Sequence, residues 1–263
     1  MTSLPVIMPG AEPFFYRGNQ AGILCLHGFT ASPSEMSWLG QHLAGEGYTV
    51  YGLRTPGHGT DPHDLDRYLW QDWFAAVLDG YHLLRAQCDR VLVVGHSMGG
   101  LLGLLLACAE PVNGLAVLAS PLLYADKRLA YANWMAKVMP YTEQPDTSNL
   151  PQRIRAAQAE RGEPVRGRVR YETWSTKAVG QLYGVTMAAA ERLPDVTAPL
   201  LAIYSKGDVT VGLESRDFLL AQVGSQQVES HTLEHSDHIL PQDVERETVF
   251  QLVSAFAGRV LRD

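Results

Sequence analysis

The sequence predicts an α/β protein: a mostly parallel sheet with helices on both faces and a small helical insertion. Two observations carry that prediction. Short apolar runs alternate with stretches of helical periodicity along most of the 263 residues. The runs are apolar throughout instead of alternating apolar and polar, the pattern of strands covered on both faces. A third observation marks one junction as special. Gly95-His96-Ser97-Met98-Gly99 stands between an apolar run and a helical one, and reactive groups in such sheets collect at the carboxyl ends of strands.

The elements follow in order. "AGILCLHG" (21–28) is a buried strand. "PSEMSWLGQHLAGEG" (33–47) sets Met36, Leu39 and Leu43 at helical spacing, and Gly45 and Gly47 end it. "YTVYGL" (48–53) is the second strand. A strong helix puts Leu69, Trp70, Trp73, Phe74, Val77, Leu78, Tyr81 and Leu84 on one face. "RVLVVG" (90–95), "LLGLLLACAE" (101–110) and "GLAVLAS" (114–120) read as strand, helix, strand. "PLLAIYS" (199–205), a helix near 213–222 and "QVESHTL" (227–233) continue the rhythm. A last helix carries Val249, Leu252, Val253, Phe256 and Val260.

Residues 121–195 break the pattern, so residues 1–120 and 196–263 form the core around an insertion over the sheet's carboxyl edge. The insertion holds Tyr124, Tyr131, Trp134, Tyr141, Tyr171, Trp174 and Tyr183. Its "KAVGQLYGVTMAAAERL" (177–193) is amphipathic through Val179, Leu182, Tyr183, Met187 and Ala190. The arginines of "RGEPVRGRVR" (161–170) read as a solvated face.

The formal net charge of −7 disfavours nucleic acid and anionic membrane surfaces. Cys25, Cys88 and Cys108 read as buried free thiols of a reducing compartment. No metal-ligand spacing occurs, and neither a cofactor nor a metal is expected. The N-terminal stretch lacks a basic segment and is interrupted by Pro5 and Pro9, so no secretory signal is read there. No run approaches the roughly 18 apolar residues of a membrane span. A cytoplasmic protein is expected, with oligomeric state open, a homodimer included.

Ser97 is the candidate nucleophile. Gly-x-Ser-x-Gly between strand and helix describes a sharp turn that lifts the hydroxyl above the sheet at a helix N-terminus. Gly95 and Gly99 supply the clearance that the turn needs. A serine requires a base, and the loop "LEHSDHILPQD" (233–243) offers His238, with His235 as runner-up and His231 inside the strand. A carboxylate must orient the base. Asp208 follows the penultimate strand. Asp126 is the alternative, and Asp237 is set aside because its side chain should point away from its neighbour. Met98 and Phe29 are the candidate N–H donors for a tetrahedral oxyanion. His27 is read as tying down the loop that holds Phe29, and His58 of "PGHG" (56–59) as shaping a turn.

On these residues the chain resembles the α/β-hydrolase superfamily, more narrowly bacterial carboxylesterases and monoacylglycerol lipases. The likeness runs through "LCLHGFTASPSEM" (24–36), "GYTVYGLRTPGHGT" (47–60), "VVGHSMGG" (93–100), "APLLAIYSKGD" (198–208) and "SDHIL" (236–240). It implies the triad Ser97, Asp208 and His238, an oxyanion hole at Phe29 and Met98, and a cap at 121–195 that lines the acyl pocket. The implied activity is hydrolysis of short- to medium-chain carboxylic esters, monoacylglycerols among them. A thioesterase, amidase or carbon–carbon bond hydrolase would use the same machinery. A lipid-surface lipase should show an amphipathic anchor or basic patch, and none is evident. A binding protein on this scaffold should lack a triad member, and none is missing.

Overall fold

A computed structural model describes residues 4–123 and 132–262. Tyr124, Asp126 and Tyr131 lie outside the described residues, so the alternative acid at Asp126 lies outside them as well. The main sheet has seven strands: β1 (Phe14–Tyr16), β2 (Ala21–Leu26), β3 (Thr49–Leu53), β4 (Arg90–His96), β5 (Gly114–Leu118), β8 (Leu200–Ser205) and β9 (Val228–Leu233). Their order is β1-β3-β2-β4-β5-β8-β9, parallel except where β1 runs antiparallel to β3. The apolar runs thus form a mostly parallel sheet, as read from the sequence.

Both faces are covered, which explains the unbroken apolar runs. Leu24 and Leu26 of β2 and Val93 of β4 pack with α3 (Trp70–Arg85), α4 (Met98–Ala109) and α8 (Leu213–Gln222). Ile23, Cys25 and Val94 point the other way, toward α1 (Ser37–Gly45) and α9 (Arg246–Val260). Each buried aliphatic side chain contributes about 1.5–3 kcal/mol relative to exposure, so a strand sandwiched between helix layers gains from both of its faces.

Some boundaries differ from the sequence reading for local reasons. Pro33 opens a single 3₁₀ turn, Pro33–Met36, before α1 begins. Gly47 takes φ +95° after α1, a conformation open to glycine. Strand β1 was not foreseen: it has three residues at the sheet edge and follows Pro13. Cys25 and Cys88 are buried and free, and burial pushes the Cys25 thiol up to about 12. Cys108 is only partly buried, which corrects the expectation for that residue.

A short helix, α2 (Pro62–Leu65), follows β3. The stretch after β5 contains α5 (Ala132–Met135), α6 (Leu150–Glu160) and α7 (Thr176–Glu191). It also contains an unforeseen antiparallel pair, β6 (Tyr141–Glu143) with β7 (Thr173–Ser175). The apolar stripe read on α7 is displaced. Ala178, Val185, Thr186 and Ala189 are the buried residues there, while Met187 is 50% exposed.

Candidate active site

The site begins at the turn between β4 and α4. Ser97 has φ +53° and ψ −117°, outside the relaxed regions for a residue with a Cβ. Such strain costs on the order of 1–3 kcal/mol and persists where the surroundings enforce it. Here the enforcement is visible. Ser97 N–H donates to the Leu118 carbonyl at 2.8 Å, and Ser120 Oγ donates to the Ser97 carbonyl at 2.8 Å. A Cβ at Gly95 would overlap the Gly99 carbonyl, and one at Gly99 would overlap the Leu26 carbonyl. The two glycines are therefore required by the close approach of strand, helix and neighbouring loop.

Three side chains from three loops meet at this turn. Ser97 Oγ lies 3.0 Å from His238 Nε2. His238 Nδ1 lies 2.8 Å from Asp208 Oδ2. Asp208 follows β8, and its other oxygen accepts from the N–H groups of Thr210 and Val211 at 2.7 and 2.8 Å. Burial works to raise the Asp208 carboxyl, but His238 and these N–H donors outweigh it and hold the group below the usual carboxylate range. An ionised Asp208 can only accept, so Nδ1 carries the proton and Nε2 faces the serine hydroxyl as an acceptor. The runners-up do not join them. His235 is exposed, and His231 lies within β9. Asp237 Oδ1 accepts from the backbone N–H groups of His238 and Val209 at 2.7 and 3.3 Å.

The loop after β2 passes beside the serine. A Cβ placed on Gly28 would stand 3.4 Å from Ser97 Cβ. Neither Phe29 N–H nor Met98 N–H has an acceptor among the described residues. His27 anchors the loop: one ring nitrogen meets the Gly28 carbonyl at 2.8 Å and the other accepts from Thr55 N–H at 3.3 Å. Burial lowers the His27 pKa, in keeping with a neutral ring. His58 is buried, meets the Thr55 hydroxyl at 2.9 Å and stands away from the serine hydroxyl's partners.

One component was missed in the sequence. Glu35 is almost fully buried and touches two parts of the site at once. Its Oε1 accepts from Gly28 N–H at 2.8 Å and from His96 Nδ1 at 2.8 Å. His96 Nε2 meets the carbonyl of His238 at 2.8 Å. Both partners of His96 are acceptors, so the ring carries two protons and is an imidazolium. Burial opposes that charge, but Glu35 overrides it and raises the His96 pKa. Burial likewise opposes ionised Glu35, yet His96, Arg168 and Gly28 N–H bring its carboxyl down to about 2. This pair ties together the loop of Phe29, the turn of Ser97 and the loop of His238. The available signal was the histidine that ends the apolar run "RVLVVGH"; Glu35, within the serine-rich "SPSEMS", carries no such signal.

A cavity of about 510 Å³ opens over Ser97 and His238, a size suited to a small organic ligand. Phe29, Trp174, Val179 and Leu182 form an apolar wall. This accounts for part of the α7 discrepancy: Val179 and Leu182 line the cavity, and Leu182 and Ala190 pack on the core beside the more deeply buried Ala178, Val185 and Ala189. Gln144, Ser148, Arg168 and Arg170 supply a polar wall. The arginine stretch is therefore not a uniformly solvated face, and Arg168 is 13% exposed. A second cavity of about 330 Å³ lies near Phe14, Gln41 and Glu163, without a serine–histidine pair. Among the described residues no cluster of His, Cys, Asp and Glu could hold a metal ion, and no helix is long and apolar enough to cross a membrane.

The arrangement can deprotonate a serine hydroxyl, deliver it to a carbonyl and offer two free N–H groups to the resulting oxyanion. Comparison with known proteins points the same way. The model of the alpha/beta hydrolase family matches residues 23–252. A thermostable monoacylglycerol lipase of Bacillus sp. (strain H-257) is 29% identical over 246 residues, covering 93% of each chain. A carboxylesterase of Bacillus subtilis (strain 168) is 24% identical over 258 residues, covering 98% of this chain and 99% of that one. Among solved structures, one described with the metagenome-derived lipolytic enzymes LipS and LipT superimposes with a TM-score of 0.86 at 28% identity. It covers 97% of this chain and 100% of its own.

Proposed function

The chain belongs to the alpha/beta hydrolase family, and on that premise we propose that it is a serine hydrolase cleaving carboxylic esters of short or medium acyl chains through Ser97, His238 and Asp208. The observation that carries the reading is the continuous run of contacts from Asp208 Oδ2 through His238 to Ser97 Oγ, at 2.8 and 3.0 Å. The relatives named as a monoacylglycerol lipase and a carboxylesterase support the ester class.

In this mechanism Ser97 Oγ attacks the ester carbonyl as His238 Nε2 takes its proton. The N–H groups of Phe29 and Met98 receive the oxyanion. Such a donor is worth a factor on the order of 100 to 1,000 in rate. The tetrahedral intermediate collapses, and His238 gives the proton to the departing alcohol. A water enters and attacks the acyl carbonyl as His238 takes its proton; the bond to Ser97 Oγ then breaks, His238 returns the proton to Oγ, and the acid departs. Asp208 keeps the imidazole in one tautomer and steadies its charge. Residues 121–195 act as the cap, with Trp174, Val179 and Leu182 against the acyl chain. No cofactor takes part, and the protein works in the cytoplasm.

Turnover of 4-nitrophenyl butyrate tests the reading. Ser97→Ala should lose at least a thousandfold in kcat while the protein stays folded. Wild-type turnover in that variant would end the proposal.

A further inference from the structure

The proposed mechanism uses the cavity's apolar wall and leaves its charged wall without a task. Two guanidinium groups stand there, and they differ. Arg168 is compensated: Nη1 lies 2.7 Å from Asp146 Oδ2 and Nη2 lies 3.9 Å from Glu35 Oε2. Arg170 is not. Among the described residues no carboxylate pairs with it, and its hydrogen bond goes to the backbone carbonyl of Gln144. Three carboxylates act on it through space: Asp146 pairs with Arg168, Glu35 with the His96 imidazolium, and Glu172 is exposed to solvent and forms no ion pair with Arg170. Asp237, also on the cavity lining, is occupied by the backbone N–H groups of His238 and Val209.

Arg170 is half-buried. Burial, and then the neighbouring Arg168, draw its pKa below the usual arginine value, so it remains a cation held at a cost in a partly dry wall. A guanidinium offers five N–H donors in a planar fork that fits a carboxylate or phosphate, and here one backbone carbonyl uses only part of that capacity.

We propose that Arg170 anchors an anion-binding subsite, and that the preferred substrates are carboxylic esters bearing a small oxyanion, typified by a carboxylate, a few bonds from the ester carbonyl. The inference rests on the serine hydrolase reading and names its substrate class. The ester's apolar part lies against Trp174, Val179 and Leu182, and its anionic end meets Arg170. A neutral ester leaves the guanidinium uncompensated, so it is the poorer substrate.

The test compares two matched pairs of esters in the wild type, Arg170→Gln and Arg170→Lys. One pair is 4-nitrophenyl hydrogen adipate against 4-nitrophenyl hexanoate, with the carboxylate on the acyl part. The other is 4-(butyryloxy)benzoate against its methyl ester, with the carboxylate on the leaving alcohol. The quantity read is the ratio of kcat/KM, anionic over neutral. Arg170→Gln should lower that ratio about tenfold in at least one pair, and Arg170→Lys should recover much of it. The responding pair tells which side of the ester carries the anion. A ratio unchanged in both pairs overturns the subsite. Should Arg170→Gln fail to fold, the wild type alone decides: adipate should inhibit neutral-ester hydrolysis competitively and 1,6-hexanediol should not. Equal inhibition by both, or by neither, overturns the proposal. Ser97→Ala on 4-nitrophenyl hexanoate reports separately on the underlying reading. Turnover surviving there sinks the serine mechanism, whereas its loss beside an unchanged ratio sinks the anion subsite alone.

Discussion

Replacing Glu35 with glutamine removes one charge from a pair that joins three loops of the site. The carboxylate sits 2.8 Å from His96 Nδ1, and both side chains are nearly inaccessible, at 4% and 0% exposure. Breaking a buried pair by removing one partner costs about 3–5 kcal/mol. Glutamine keeps one oxygen that can still accept from Gly28 N–H, which places the cost at the low end, about 3 kcal/mol. For a chain of this length that is a fall of about 5 °C in Tm. The penalty depends on pH with a defined sign. His96 has a raised folded pKa, so its stabilising charge is fully present below the unfolded value of about 6.5 and is lost as pH rises through the folded value. Glu35, lowered to about 2, contributes above its unfolded value and loses that contribution only as pH falls through about 2, so it stays ionised across the neutral range. Thermal melts followed by circular dichroism should therefore show a wild-type-to-variant gap that is largest near pH 5.5 and narrower near pH 9. A gap that is absent, or equal at both pH values, would refute the imidazolium assignment. Turnover should also fall between about 10- and 100-fold, because the loops of Phe29 and His238 lose a common tether and small misplacements are expensive.

Two further substitutions probe the geometry. Asp208→Asn should leave the fold intact yet lower kcat by about 10³–10⁴, because an amide donor facing His238 favours the wrong tautomer; steady-state kinetics on 4-nitrophenyl butyrate reads it, and a loss below tenfold would remove Asp208 from its role. Gly99→Ala should destabilise by about 3 kcal/mol, since its Cβ would meet the carbonyls of Leu26 and His27; urea denaturation checks this, and an unchanged midpoint would mean the turn has room that the structure denies it.

The inner strands of the main sheet were legible because they are buried on both sides. The apolar run read at 21–28 lies over β2, Ala21–Leu26, and the run at 199–205 over β8, Leu200–Ser205. The turn at Ser97 was legible because only glycine fits at Gly95 and Gly99. What escaped the sequence depends on partners far apart along the chain. Tyr141 pairs with Ser175 in the β6–β7 ladder, and neither three-residue strand has a pattern of its own. Val179 and Leu182 of α7 line a cavity, Leu182 while also packing on the core, and periodicity cannot tell the two settings apart. Glu35 and His96 are 61 residues apart, and neither local pattern marks the other as its partner. Arg168 and Arg170 looked like surface because charge runs usually are, and Asp146 gives no hint in sequence that it will form an ion pair with only the first of them.

The most direct measurement is covalent. A fluorophosphonate should add once per chain, abolish turnover of 4-nitrophenyl butyrate in proportion to labelling, and map by peptide mass spectrometry to Ser97. Label on another residue, or full turnover in fully labelled protein, would contradict the assignment of Ser97 as the nucleophile.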